Sequence, residues 1–225
     1  MMATAVASTQ IAPRYQLLNQ LGAGGMGVVY RALDRLSGQV VALKQVTVDS
    51  DRLLFASHAD QSQNSQDVRL SLAREFKTLA SLRHPNIISV MDYGFDIQHQ
   101  PFFTMTLLEN TQTIFQAGQG QSSEVQNELL MQLLQALLYL HRRRILHRDL
   151  KPGNVVVVNG QVKVLDFGLA VARGEGGETA GTLAYMAPEL LSGDAASECS
   201  DLYACVWPYR LRTCGWAASV SRGSS

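Results

Sequence analysis

The chain has 225 residues, with 19 basic and 19 acidic side chains for a formal net charge of zero, and 46% of it is apolar. That length can bury one large core or two small ones, and the composition is that of an ordinary soluble globular protein. The neutral balance excludes a general nucleic-acid or polyanion binder, and no apolar run approaches the roughly 18 residues of a membrane span.

Residues 1–14 read as a flexible leader without the basic and apolar regions of a signal peptide. From Tyr15 to Val48 short apolar runs alternate with glycine-containing turns (YQLLNQL, VVYRAL, QVVALKQV), which predicts three antiparallel strands. Residues 49–67 are polar and read as a loop. Leu72, Phe76, Leu79 and Leu82 recur at helical spacing and predict an amphipathic helix over 70–82, stopped by His84-Pro85-Asn86. IISVMDYG and PFFTMTLL then predict two more strands. After Asn110 comes a short connector, then Ser123-x-x-Gln126 as a capping box. Val125, Leu129, Leu130, Leu133, Leu134, Leu137 and Leu138 give the helix that follows a wide apolar stripe. VVVV and QVKVL predict a hairpin around Asn159-Gly160. Beyond Asp166 the chain reads as loop, with a short helix at Pro188–Ser192. The three cysteines (Cys199, Cys205, Cys214) are odd in number and irregularly spaced, which suits a reducing compartment, and the cytoplasm is the expected setting.

Several segments carry chemistry. Gly22, Gly24 and Gly27 form G-x-G-x-x-G, a spacing that serves either an ordinary turn or close backbone approach to phosphates. These glycines open a strand rather than a helix, and no GK[ST] follows, so neither a dinucleotide fingerprint nor a Walker loop fits. Lys44 lies on the third strand in VALK, and Glu75 on the following helix is a carboxylate that could pair with it. His147-Arg148-Asp149-Leu150-Lys151-Pro152-Gly153-Asn154 sets a base, a cation and an amide in one short loop after a buried helix. Asp166-Phe167-Gly168 ends a strand with a carboxylate suited to a hard cation. Gly181-Thr182-x-x-Tyr185-x-Ala187-Pro188-Glu189 closes the set.

In this order the segments resemble the protein kinase family from about Tyr15 to Ala204. HRDLKPGN is similar to the serine/threonine branch, and GAGGMG to its bacterial members. The resemblance implies an α+β, two-lobed fold: an antiparallel N-terminal sheet lobe with one helix over 15–108, and a mainly helical lobe, lacking its last helices, over 109–204. It implies ATP and Mg²⁺ as cofactors and proteins bearing Ser or Thr as substrates. Leu21, Gly22, Gly24, Gly27, Val29, Ala42, Met105, Thr106, Leu108 and Val156 would surround the nucleotide, with Lys44 on its phosphates and Glu75 holding Lys44. Asp149 would accept the substrate's hydroxyl proton, Lys151 would steady the transferred group, and Asn154 and Asp166 would bind Mg²⁺. Arg148 suggests control by phosphorylation of the loop before Glu189, with Thr179 the candidate acceptor. After Ala204 the family pattern stops, and 205–225, with Pro208, reads as the irregular tail of a truncated or frame-shifted chain. That would weaken the fold and favour self-association through exposed apolar surface. The alternative function is a non-catalytic ATP-binding or interaction module derived from a kinase.

Overall fold

The computed structural model describes residues 10–24, 27–46, 76–98, 100–166 and 183–213. They fall into two lobes. One holds the described residues up to Arg83 and Ile88–Glu109; the other holds His84–Ile87 and the described residues from Asn110 on.

The first lobe is a six-stranded antiparallel sheet in the order β1-β2-β3-β4-β6-β5. Its strands are β1 (Gln10–Ile11), β2 (Tyr15–Gly24), β3 (Gly27–Asp34), β4 (Val40–Val46), β5 (Val90–Phe95) and β6 (Pro101–Met105). Alternation along each strand sorts the side chains onto two faces. One face carries the cluster Ile11, Tyr15, Leu17, Ala32, Val41, Leu43 and Phe102. On the other, Phe103 meets Phe76 at 5.7 Å between ring centroids. Phe76 belongs to α1, the helix that includes residues 76–81, and Tyr93 stacks on it at the same distance.

The expected leader is partly wrong. β1 pairs with β2 (Ile11 opposite Tyr15), and Ile11 is buried. Arg14 then closes a fork on Asp34 with two bonds of 2.8 and 2.7 Å, and reaches Asp92 at 2.8 Å. A composition reading could not see this, because the partners lie far along the chain.

In the second lobe β7 (Gln112–Thr113), β8 (Val155–Val158) and β9 (Gln161–Val164) form a small sheet. Asn159 and Gly160, with φ of 49° and 77°, make the two-residue turn between β8 and β9. Helix α2 (Ile114–Gly118) occupies the expected connector, and the capping box is its own: Thr113 caps the Gln116 N–H, and the Gln116 side chain answers. Helix α3 (Ser123–His141) begins after Ser122, whose side chain makes no cap bond. Gln126, expected to complete a box with Ser123, instead donates to the carbonyls of Gly118 and Gln121. The apolar stripe of α3 is narrower than its leucines suggest. Leu129, Leu133, Ala136, Leu137 and Leu140 are buried, while Val125 and Leu138 are exposed. Gln132 latches α3 to the hairpin by accepting from Val162 N–H and donating to Gly160.

Helix α4 (Pro188–Leu191) forms as expected. Helix α5 (Glu198–Thr213) does not stop where the irregular tail was expected to begin; its backbone stays helical through Pro208 to Thr213. Ser197 and Ser200 exchange side-chain and backbone bonds at its start and fix the first turn. A proline removes one helical bond, and here the turns before it are already in place. Among the described residues no helix is long and apolar enough to cross a membrane.

Candidate active site

In the first lobe the sheet register brings five of the expected nucleotide residues onto one face. Ala42 pairs with Met105, Lys44 with Phe103, Val29 with Lys44, and Gly22 with Val29. Directly opposed residues share a face, so Gly22, Val29, Ala42, Lys44 and Met105 line the face opposite the Leu43 cluster. Lys44 is 3% exposed, deep for an ammonium, while Leu21 at the end of the hairpin is exposed. A Cβ at Gly22 or Gly24 would meet nothing within 4 Å, and only Gly27, at φ 124°, holds a backbone that side chains rarely adopt. The chain's own packing therefore does not require glycine at 22 or 24, whereas a ligand lying against the backbone would. Thr106 donates its N–H to the Ser89 carbonyl at 3.2 Å, which commits its donor within the lobe. Thr106 is exposed and Leu108 half-buried. Glu75 lies outside the described residues, as do Phe167, Thr179 and Thr182.

In the second lobe the loop after α3 gathers Asp149, Lys151 and Asn154. Lys151 Nζ lies 3.1 Å from Asp149 Oδ2, and Asn154 Nδ2 donates to that oxygen at 3.1 Å and to the Asp149 carbonyl at 2.8 Å. A short 3-10 turn, Pro152–Asn154, makes this closure possible. Leu165 N–H donates to the Asn154 carbonyl at 2.8 Å, which ties the residue before Asp166 to Asn154. Val156 is buried on β8, two residues beyond Asn154.

His147 ties the loop to the end of β9. Its Nε2 bonds the Leu165 carbonyl at 2.9 Å, and its Nδ1 accepts the Asp149 N–H at 3.3 Å. Burial pulls the pKa of this ring down, against the upward pull of Asp201, so it stays neutral. Asp201, on α5, closes the loop from behind: Oδ1 accepts the Arg148 N–H at 2.9 Å and Oδ2 the His147 N–H at 2.8 Å.

The protein kinase domain model matches residues 15–207. The chain belongs to this family. A probable serine/threonine-protein kinase of Streptomyces coelicolor is 36% identical over 203 residues, covering 84% of this chain and 28% of that protein. A DNA damage-responsive serine/threonine-protein kinase of Deinococcus radiodurans is 37% identical, covering 87% and 29%. Cell division control protein 2 homolog 3 of Trypanosoma brucei brucei is 35% identical, covering 80% and 56%. The chain spans less than a third of the first two relatives and about half of the third. It is a kinase domain of the bacterial serine/threonine type.

The residues of this kinase domain fit the two groups that the family implies. The open glycine backbone offers a cradle that a Cβ would enter. Asn154 spends its amide hydrogens on Asp149, which leaves its side-chain oxygen as a hard donor, and the Asp166 carboxylate is a second hard donor in the same lobe. No cluster of three or more His, Cys, Asp or Glu is found among the described residues. One carboxylate and one amide oxygen suit a Mg²⁺ that keeps waters and phosphate oxygens as its other ligands.

Sequence reasoning gave no role to His141, whose Nε2 lies 2.9 Å from Asp201 Oδ2. The available signal was a histidine closing an apolar helix six residues before His147. Left-handed φ at Arg148 (66°) and Asp166 (54°) also could not be read from residue types.

Proposed function

We propose that this domain is catalytic, and that it transfers the γ-phosphoryl group of ATP to serine or threonine hydroxyls of protein substrates. The observation that carries this reading is the convergence of Lys151 and Asn154 on one oxygen of the buried Asp149. A module that only bound nucleotide would have no use for a carboxylate so held.

Asp149 accepts the proton of the attacking hydroxyl, and Asn154 fixes the direction in which its carboxylate faces. Lys151, at 34% side-chain exposure, can swing between Asp149 and an incoming phosphoryl oxygen. Lys44 places a buried positive charge for the phosphates, and Gly22 and Gly24 let the backbone approach them. Val29, Ala42 and Met105 supply an apolar surface for the base, and Val156 belongs to the same set. The carbonyl of Thr106 and the backbone of Leu108 take its polar edge. Mg²⁺, held by Asn154 and Asp166, supplies neutralisation of phosphate charge when bound. Glu75 completes the set as the partner of Lys44. The reducing cytoplasm suits Cys199 and Cys205, both free thiols. Self-association belongs to the reading as well, through the exposed Met131 and Leu138 of α3.

Incubating the chain with labelled ATP, Mg²⁺ and a basic protein should transfer label to serine or threonine. Lys44→Met and Asp149→Asn should each reduce turnover by at least about a hundredfold, since each 1.4 kcal/mol of lost transition-state stabilisation is tenfold. Tight ATP binding without transfer in the wild type would leave the non-catalytic module as the correct reading.

A further inference from the structure

In the second lobe, several basic side chains lie on segments without acids. Residues 84–87, 129–148 and 150–165 contain no Asp or Glu, although the chain as a whole is neutral. They carry Arg142, Arg143, Arg144, Lys163 and His84. In the first lobe, by contrast, Arg14 and Arg31 each reach an acid, at 2.7 and 3.1 Å.

Two of these groups meet at Tyr139, and a third lies beside them. The Arg143 guanidinium lies 3.8 Å from the centre of its ring. The His84 ring lies 4.9 Å from it. Lys163 Nζ donates to the Pro85 carbonyl at 2.6 Å, next to His84. His84 Nδ1 accepts the Asn86 N–H at 3.1 Å, so the ring's hydrogen sits on Nε2. Burial, and then the nearness of Lys163 and Arg143, hold the His84 pKa down, and the ring acts as a neutral donor. The result is one N–H donor, on His84, with two cations near it: Arg143 stacked on the same tyrosine, and Lys163 on the neighbouring Pro85 carbonyl.

We propose that His84, Arg143 and Lys163 form a docking site for a phosphoryl group carried on a protein segment. A phosphorylated side chain brings close to two negative charges and three acceptor oxygens. Arg143 and Lys163 match that charge, whereas a carboxylate would balance only one of them. Stacking on Tyr139 fixes the guanidinium plane and leaves its edge for a two-pronged bond to phosphate oxygens. His84 Nε2–H serves the third oxygen. Arg142 and Arg144, both exposed, add attraction at longer range. Tyr139 is already covered by Arg143 and His84, so the patch offers no open ring for a nucleic-acid base.

The test needs no ATP and is independent of transfer activity. A fluorescent phosphoserine peptide, its unphosphorylated twin and a labelled RNA oligonucleotide are titrated with the whole chain at 0.15 M salt, following anisotropy. Phosphorylation should tighten binding at least about tenfold, since charge-assisted bonds contribute more than neutral ones. Arg143→Gln and Lys163→Gln should each remove most of that gain, while Lys44→Met should keep it. Lys163→Gln guards against a folding artefact, because among the described residues that side chain bonds only a carbonyl at the surface. Equal affinity for the two peptides, gains that survive Arg143→Gln and Lys163→Gln, or loss of the gain in Lys44→Met would each overturn the proposal. Tighter binding of the RNA would overturn it too, in favour of a nucleic-acid surface.

Discussion

The Asp201 carboxylate holds Arg148 by its backbone: the Arg148 N–H donates to Oδ1 at 2.9 Å, on a residue with φ of 66°. A left-handed conformation costs a non-glycine residue roughly 1–2 kcal/mol, so something must keep it there. Asp201 does so with a second bond, to His147 N–H, and is itself 2% exposed. Asp201→Asn keeps the shape but turns one acceptor into a donor facing an N–H. We expect a loss of about 2–4 kcal/mol from the unmet groups and a fall in turnover, because the loop carrying Asp149 loosens. Urea denaturation and turnover of the same preparation check this. A variant with wild-type stability would show that the clamp is not what holds the loop.

The glycine hairpin should separate fold from ligand binding. Because a Cβ at Gly22 or Gly24 meets nothing within 4 Å, Ala at either position should leave the melting temperature within a few degrees of the wild type. ATP affinity should fall by about tenfold in the double variant, since methyl groups would stand where phosphate oxygens must approach. Calorimetric titration with ATP and Mg²⁺, beside a thermal melt, reads both quantities. Unchanged affinity would mean that the backbone there touches no ligand.

What could be read in the sequence was local. Glycine spacing gave the β2–β3 hairpin, Asn159-Gly160 gave the turn between β8 and β9, and the apolar run VVALK gave β4 with Lys44 on it. The order of motifs gave the family, and the α+β two-lobed fold came with it. What could not be read depends on partners distant in the chain. Arg14 needs Asp34 and Asp92, which are 20 and 78 residues away. His141 needs Asp201, 60 residues away. Helix α5 also runs through Pro208, against local propensity.

The Arg14 fork should govern stability at the acid end of the pH scale, and its neighbour Tyr15 at the alkaline end. Its hydrogen bonds hold the Asp34 carboxyl well below the usual carboxylate range. That stability is present above the ordinary Asp value of 3.8 and is lost as pH falls through the lower folded value. Arg14→Ala should cost about 2 kcal/mol at neutral pH, less than a fully buried pair because Arg14 is part-exposed, and should flatten the acid limb. Tyr15 works in the opposite direction. Burial, and then donation to Asp92 Oδ2 at 2.7 Å, push its hydroxyl up to about 12 from 10.0. Its contribution is whole below pH 10 and is lost as pH rises toward 12. Tyr15→Phe should therefore be about 1 kcal/mol less stable at neutral pH and lose less between pH 10 and 12. Denaturation midpoints across both limbs measure the slopes, and parallel alkaline limbs would remove Tyr15 from the account.

His147 should impose a further pH dependence near neutrality. The folded ring is buried and neutral, with Nδ1 accepting from Asp149 N–H and Nε2 donating to the Leu165 carbonyl. Protonation would put a hydrogen on Nδ1 against the Asp149 N–H. The unfolded chain meets no such barrier and takes up its proton near the ordinary value of 6.5. Below that pH the unfolded state binds more protons than the folded one, so stability falls as the solution is acidified from 7 to 5. His84, also lowered, acts with the same sign. The two can be separated by substitution. His84→Gln should leave most of the slope, because its ring is only half-buried. His147→Phe should keep the packing, remove the larger part of the slope and cost about 1–2 kcal/mol at pH 7 from the lost Leu165 bond. Melting temperatures of the three proteins at half-unit steps between pH 5 and 7.5 give the slopes directly. If His147→Phe keeps the wild-type slope while His84→Gln abolishes it, the buried ring is not the sensor. The loop around Asp149 would then be insensitive to pH in this range.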